Sequence, residues 1–280
     1  MADKIQMPSL DPLSDEEWAT LLGRSAAEYI SMIDTSLKES NRFFVDVRFN
    51  KLLYFLATNE IAASQSRKTI HKGQIMYRAR IYDGDDAEIR ARDAVEGAFN
   101  GYDYENSFVP PIAQKVSDGR VNPSGIVYLY LAASVNGAVV EVSPKIGEWV
   151  SVAKVKFFED TFVFDFGHDM ISGFPICQDR SDWLMDFLSA MDDRFRKPHR
   201  KENDYLFCQY VSEFLKNYGY DGIRFITSKS LPVYADESFA NYTIFNYSKC
   251  KPVSSDLRYI WDIKVEDKSY EEKELKTFHW

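Results

Sequence analysis

Apolar side chains recur at helical spacing near the start of the chain, where Trp18, Leu21, Leu22, Ala26, Tyr29, Ile33 and Leu37 fall on one stripe. The stripe begins just after Ser14-Asp15-Glu16-Glu17, the spacing of a capping box, in which a serine hydroxyl and a glutamate carboxylate satisfy free amides of the first turn. A second helix is predicted from about Phe43 to Ala63, with Val47, Leu52, Phe55, Leu56 and Ile61 as core positions. Residues 1–13, with Pro8 and Pro12, show little periodicity. Residues 1–70 therefore read as a helical N-terminal extension. Its apolar stripes are too large to leave in water, so they must pack on the rest of the chain or on another molecule.

After the turn at His71-Lys72-Gly73 the pattern changes to strand-like alternation, predicted from Gln74 to Ile81. Residues 83–106 are acidic and rich in turn formers, and read as a solvated loop. Further strands are predicted at Ile126–Leu131, Trp149–Phe158, Thr161–Asp165, Ile223–Ile226, Tyr242–Phe245 and Tyr259–Val265. Helices are predicted at Ala132–Glu141, Asp182–Phe195 and Asn203–Tyr218, the last ended by Gly219 in a left-handed cap. This makes 71–265 one domain and 266–280 a charged tail.

Composition narrows the function classes. With 45% apolar and 15% aromatic residues the chain has enough core-forming side chains to fold. A net charge of −9 argues against a general binder of nucleic-acid backbones, which needs clustered Lys and Arg. Cys177, Cys208 and Cys250 are widely spaced and form no CxxC pair, which suits a reduced, cytoplasmic protein. No run approaches the ~18 apolar residues of a membrane span, so a soluble protein is expected. The four histidines are scattered and there is no Gly-x-Ser-x-Gly elbow, which makes metal and acyl-transfer chemistry poor fits.

The densest chemistry lies in Gly119-Arg120-Val121-Asn122-Pro123-Ser124-Gly125, followed by Tyr128, Tyr130 and then Glu141. An arginine in a polar turn can be merely solvated, or can grip phosphate in a bidentate fork. Arg78 and Arg80 share one face of the strand at 74–81, either as a solvated edge or as a cationic pair beside the Arg120 turn, costly without an anion between the two. Tyr128 and Tyr130 also share a face, as core aromatics or as ring and hydroxyl donors. Glu141 stands among valines, an odd setting for a solvated carboxylate, and an ionised glutamate there can stabilise a developing cation. Ser228, after the strand at 223–226, reads on its own as a turn cap.

Five blocks in order carry a resemblance to a known family: Met76–Arg80, Gly119–Ala132, Ala138–Val142, Val163–Asp165, and a last block of Asp204–Tyr210, Gly219–Phe225, Thr227-Ser228 and Asn241–Phe245. The chain resembles the RES domain family, named for its arginine, glutamate and serine. The resemblance implies an α+β fold with a mixed β core like that of ADP-ribosyltransferases, here preceded by the helical extension. It implies an NAD-degrading toxin, commonly paired with an antitoxin, that cleaves the nicotinamide–ribose bond by phosphorolysis or hydrolysis. NAD is then substrate, inorganic phosphate a candidate co-substrate, and no cofactor is expected. Residue by residue, Arg78 and Arg120 would hold phosphate, Tyr130 would orient the nicotinamide ribose, and Glu141 would stabilise the cation. Ser228, Tyr128, Asn122 and Arg80 are candidate substrate contacts. Expected partners are an antitoxin or a phage-defence protein and a second copy of the chain, without nucleic acid or membrane. The family pattern is altered at Val121, where many members have tryptophan, and at Asp118-Gly119, which replaces a double glycine. ADP-ribose transfer to a macromolecule, and a non-catalytic interaction protein, stay open as alternatives.

Overall fold

The computed structural model describes residues 9–108, 116–166, 178–196, 205–226 and 237–263. The chain enters through four helices, α1 (Asp15–Leu22), α2 (Ala26–Glu39), α3 (Val47–Thr58) and α4 (Glu60–Ser66). The first expected helix is thus two. Ser25 and Glu28 form a second capping box like that of Ser14 and Glu17, and each box restarts the backbone hydrogen bonding. The second expected helix also divides, because Asn59 takes an extended conformation and its side chain caps the amides of Ile61 and Ala62. Arg67–Ile70, expected at the end of the helical segment, is instead strand β1.

Seven more strands join β1 in one mixed sheet: β2 (Ile75–Tyr82), β3 (Leu129–Ala132), β4 (Trp149–Phe157), β5 (Thr161–Asp165), β6 (Gly222–Ile226), β7 (Ala240–Ile244) and β8 (Cys250–Tyr259). Their order is β1-β5-β6-β7-β3-β2-β4-β8, and β5–β6 is the parallel pair in an otherwise antiparallel ladder. Helices α5 (Ala87–Arg92), α6 (Val135–Val142), α7 (Gln178–Arg196) and α8 (Leu206–Asn217) complete the α+β architecture. Helix α5 lies inside the stretch read as a loop, and Phe99 bridges to Ser255 there. Helix α8 ends as expected, with Gly219 at φ +92°.

The strand expected at Tyr259–Val265 is displaced. The chain pairs earlier, over Cys250–Tyr259 along β4, and leaves Trp261 80% exposed. Strand β8 is an edge, so it tolerates Pro252 and a run of serines that do not look like a strand. Among the described residues no helix is long and apolar enough to cross a membrane.

The N-terminal helices pack on the rest of the chain. Trp18, Tyr29, Ile33, Phe49, Leu52 and Leu56 share one buried cluster with Phe187 of α7, Phe207 of α8 and Phe164 and Ile223 of the sheet. Phe49 is central to it, its ring 5.7 Å from Phe207, 6.0 Å from Phe187 and 6.5 Å from Tyr29. Phe49→Ala is expected to lower unfolding free energy by about 3–5 kcal/mol, the usual cost of emptying an aromatic core site. Denaturant unfolding measures it, and a loss below about 1 kcal/mol would mean that these helices sit on the domain without contributing to its core.

Candidate active site in the seam between β2 and β3

Strand β2 pairs with β4 along its whole length, from Ile75–Lys156 to Tyr82–Trp149. On its other side it meets β3 at a single rung, Tyr77–Ala132. The two strands then part. A cavity of about 300 Å³ is lined by three consecutive residues of each, Tyr77, Arg78 and Ala79 and Tyr130, Leu131 and Ala132, so it opens along the seam itself. Arg120, Ala138, Glu141, Val142, Tyr205, Phe225 and Asn241 complete the wall.

Arg120 comes from the turn between Gly119 and Ser124. Its Nη1 donates to the carbonyl of Phe195 at 2.7 Å, in the last turn of α7, where the helix dipole favours a cation. The guanidinium carbon also sits 5.5 Å from the centre of the Phe225 ring. The turn is fixed from several sides. Tyr130 donates its hydroxyl to Asn122 Oδ1 at 2.7 Å, the Val121 amide donates to the Tyr130 oxygen at 3.2 Å, and Gln209 donates to the carbonyls of Gly119 and Asn122. A Cβ on Gly119 would lie 2.2 Å from Asn122 Oδ1, so close approach requires glycine here. Burial pushes the Tyr130 hydroxyl up to about 12, which keeps it protonated as a donor. Val121 is fully buried, an apolar anchor for the turn.

Arg78 has few partners. Nη1 reaches the carbonyl of Tyr130 at 3.4 Å, and Nε is buried with no hydrogen-bond partner. Burial, and after it the neighbouring Arg80, push this guanidinium down to about 9. A base whose pKa falls on folding carries an unfavourable charge at neutral pH, and an anion beside it removes that penalty.

Glu141 enters from the last turn of α6, which packs against β2 and β3. A carboxylate at a helix C-terminus opposes the dipole, so its position is not explained by helix stability. Two residues on, Ser143 ends the helix at φ +48°, an uncommon conformation for a residue other than glycine. At the other end Ser134 caps α6, its Oγ accepting from the Gly137 amide and donating to the Ser238 carbonyl.

The cavity therefore unites Arg78, Arg120, Tyr130 and Glu141. Asn122 stands behind it, buried, and orients Tyr130. Arg80 does not line it; its Nη2 lies 3.4 Å from the Phe108 carbonyl. Tyr128 also lies outside, buried against the Phe245 ring, with its hydroxyl bonded to Glu213 and Lys216. Residue 128 precedes β3, so the alternation that would pair it with Tyr130 does not extend to it. Ser228 falls outside the described residues. Tyr77, Tyr205, Phe225 and Asn241 were not singled out from the sequence, although each belongs to a block that carries the family resemblance.

The sequence profile of the RES domain matches residues 89–262, more than half of the chain, and the protein belongs to the RES domain family. The match includes Arg120, Tyr130, Glu141 and Asn241 and begins beyond β2 with its Arg78. Among solved structures the chain is similar to the crystal structure of the M. tuberculosis MbcT–MbcA toxin–antitoxin complex, at 16% identity and TM-score 0.32, over 68% of this chain and 84% of that one. No curated protein matches the sequence.

Inorganic pyrophosphate is expected to raise the melting temperature at pH 7 by roughly 5–10 °C at a hundredfold excess over Kd. Arg78→Met should melt no lower than wild type without the anion and should lose the shift. Calorimetric melts of both proteins check this, and an equal shift in the variant would remove Arg78 from anion binding.

Proposed function

We propose that this protein is a toxin-type enzyme that degrades NAD by cleaving the bond between nicotinamide and ribose. The observation that carries this reading is the meeting of two guanidinium groups, a buried phenol and a carboxylate in one cavity. Arg78 and Arg120 suit the pyrophosphate or an incoming inorganic phosphate, whose charge offsets the cost of burying them. Tyr130, held as a protonated donor, suits the ribose. Glu141 suits the reacting carbon.

The chemistry needs little else. In NAD the nicotinamide nitrogen is cationic, so the C1′–N bond breaks with its electron pair going to the ring, and nicotinamide leaves neutral. The positive charge passes to the ribose as an oxocarbenium-like centre, and the Glu141 carboxylate stabilises it. Water attack at C1′ then gives ADP-ribose and releases a proton. Attack by inorganic phosphate gives ADP-ribose 1-phosphate. Membership of the RES domain family supports the same reading, and with it an antitoxin or phage-defence partner that restrains the enzyme in the cytoplasm.

Purified protein incubated with NAD, with and without phosphate, should release nicotinamide, and the ribosyl product identifies the acceptor. Glu141→Gln should fold normally and lose about 10²–10³-fold in kcat, the scale of removing one electrostatic stabiliser of a transition state. Nicotinamide release at the wild-type rate would exclude Glu141. Labelled ADP-ribose on protein or nucleic acid would replace this reading with transfer to a macromolecule.

A further inference from the structure

Strand β7 is central in the sheet, flanked by β6 and β3, and all five of its residues are buried. Asparagine is a poor choice for such a strand. Asn241 is nevertheless there, 7% exposed, and its Oδ1 has no hydrogen-bond partner. Leaving a buried carbonyl oxygen unpaired costs stability. Thr243, two residues on and on the same face, also has an unpartnered hydroxyl, but it does not line the cavity. What sets Asn241 apart is that it lines the cavity wall.

Its place along that wall follows from the register. Phe225 pairs with Asn241, Asn241 with Ala132, and Ala132 with Tyr77. These four residues form one rung across four strands, spanning about 14 Å at ~4.8 Å per strand. All four line the cavity. Arg120 lies over Phe225 at one end of the rung, and α6 brings Glu141 to the β3–β2 end. Asn241 stands between Arg120 and the carboxylate, and Arg78, next to Tyr77 on β2, lies at the Glu141 end. A sugar phosphate laid along the rung with its phosphate at Arg120 sets its ring over Asn241 and its anomeric carbon towards Glu141.

We propose that Asn241 is a substrate-positioning residue whose Oδ1 accepts a hydrogen bond from a hydroxyl of the nicotinamide ribose. This rests on the NAD reading above and names a contact within it. The sugar hydroxyl supplies the donor that the folded protein does not, and selects a ribosyl substrate over a deoxyribosyl one.

The test uses carbocyclic NAD, which cannot form the ribosyl cation, and its 2′-deoxy and 3′-deoxy forms on the nicotinamide side. Wild-type protein should bind one of the deoxy forms about 10-fold more weakly than the parent, the effect of one hydrogen bond. Asn241→Leu should bind the parent about 10-fold more weakly and be indifferent to loss of that hydroxyl, so that the two changes do not add. Its melting temperature should not fall, since the amide oxygen has no partner in the free protein, whereas a purely structural asparagine would show a lower one. Asn241→Ala provides the same comparison with a smaller side chain if leucine does not fit. Wild-type affinity in a folded variant, or additive losses, would overturn the role of Asn241 and leave the NAD reading standing. A wild-type protein that neither binds carbocyclic NAD nor cleaves NAD would overturn both.

Discussion

The parting of β2 from β3 after one rung is the constraint on which the site depends. A continuous ladder there would pair Arg78 with Leu131 and Ala79 with Tyr130, and no cavity could form. Separation leaves main-chain groups on both strands without ladder partners, and such groups must find others. The Tyr130 carbonyl takes Arg78 as one. The opening in the sheet and the placing of a cation beside it are therefore the same structural event. Pairing of β2 with β4 over eight residues, and of β3 with β7 over four, keeps each strand in place while the seam between them stays open.

Several groups at this seam are worse off in the folded protein than they need be. Arg78 is buried beside Arg80, Asn241 has an unpaired oxygen, Glu141 opposes the dipole of α6, and Ser143 is left-handed. The Arg78 Nε and the Asn241 Oδ1 have no hydrogen-bond partner. Under the proposed function, an anion, a sugar hydroxyl and a cationic centre of one ligand would relieve Arg78, Asn241 and Glu141 in turn. Binding sites of this kind trade stability for function, and the large aromatic cluster behind the sheet offsets the loss.

Most of the fold was legible where a local rule acts alone. The capping box at Ser14, the left-handed Gly219, and the strands β2 and β5 all appear in the structure as the sequence implies. The helix breaks at Ser25 and Asn59 were missed although their caps are local, and the misplaced strands have a tertiary cause. β1 is four residues long and is a strand because β5 lies beside it; β8 is a strand because β4 does, despite its proline and serines. The site divided in the same way. Arg78, Arg120, Tyr130 and Glu141 carry strong chemistry and stood out, whereas Asn241 and Phe225 become part of it only through strand register, which no periodicity reveals.

Packing ties the N-terminal helices to the cavity although none of the lining residues comes from them. They pack against α7 and α8: α2 on both, α1 on α7 and α3 on α8. Helix α7 supplies the Phe195 carbonyl that holds Arg120, and α8 supplies Gln209, which ties down the same turn. Arg194 of α7 reaches Asp34 of α2 at 2.9 Å, and Tyr210 of α8 reaches Asn50 of α3 at 2.7 Å. Helices α7 and α8 therefore contact both the helical layer and the arginine turn. Of the two places the sequence left for the apolar stripes, the rest of the chain or another molecule, Trp18, Tyr29, Ile33, Leu52 and Leu56 take the first, while Leu22, Val47 and Ile61 stay exposed.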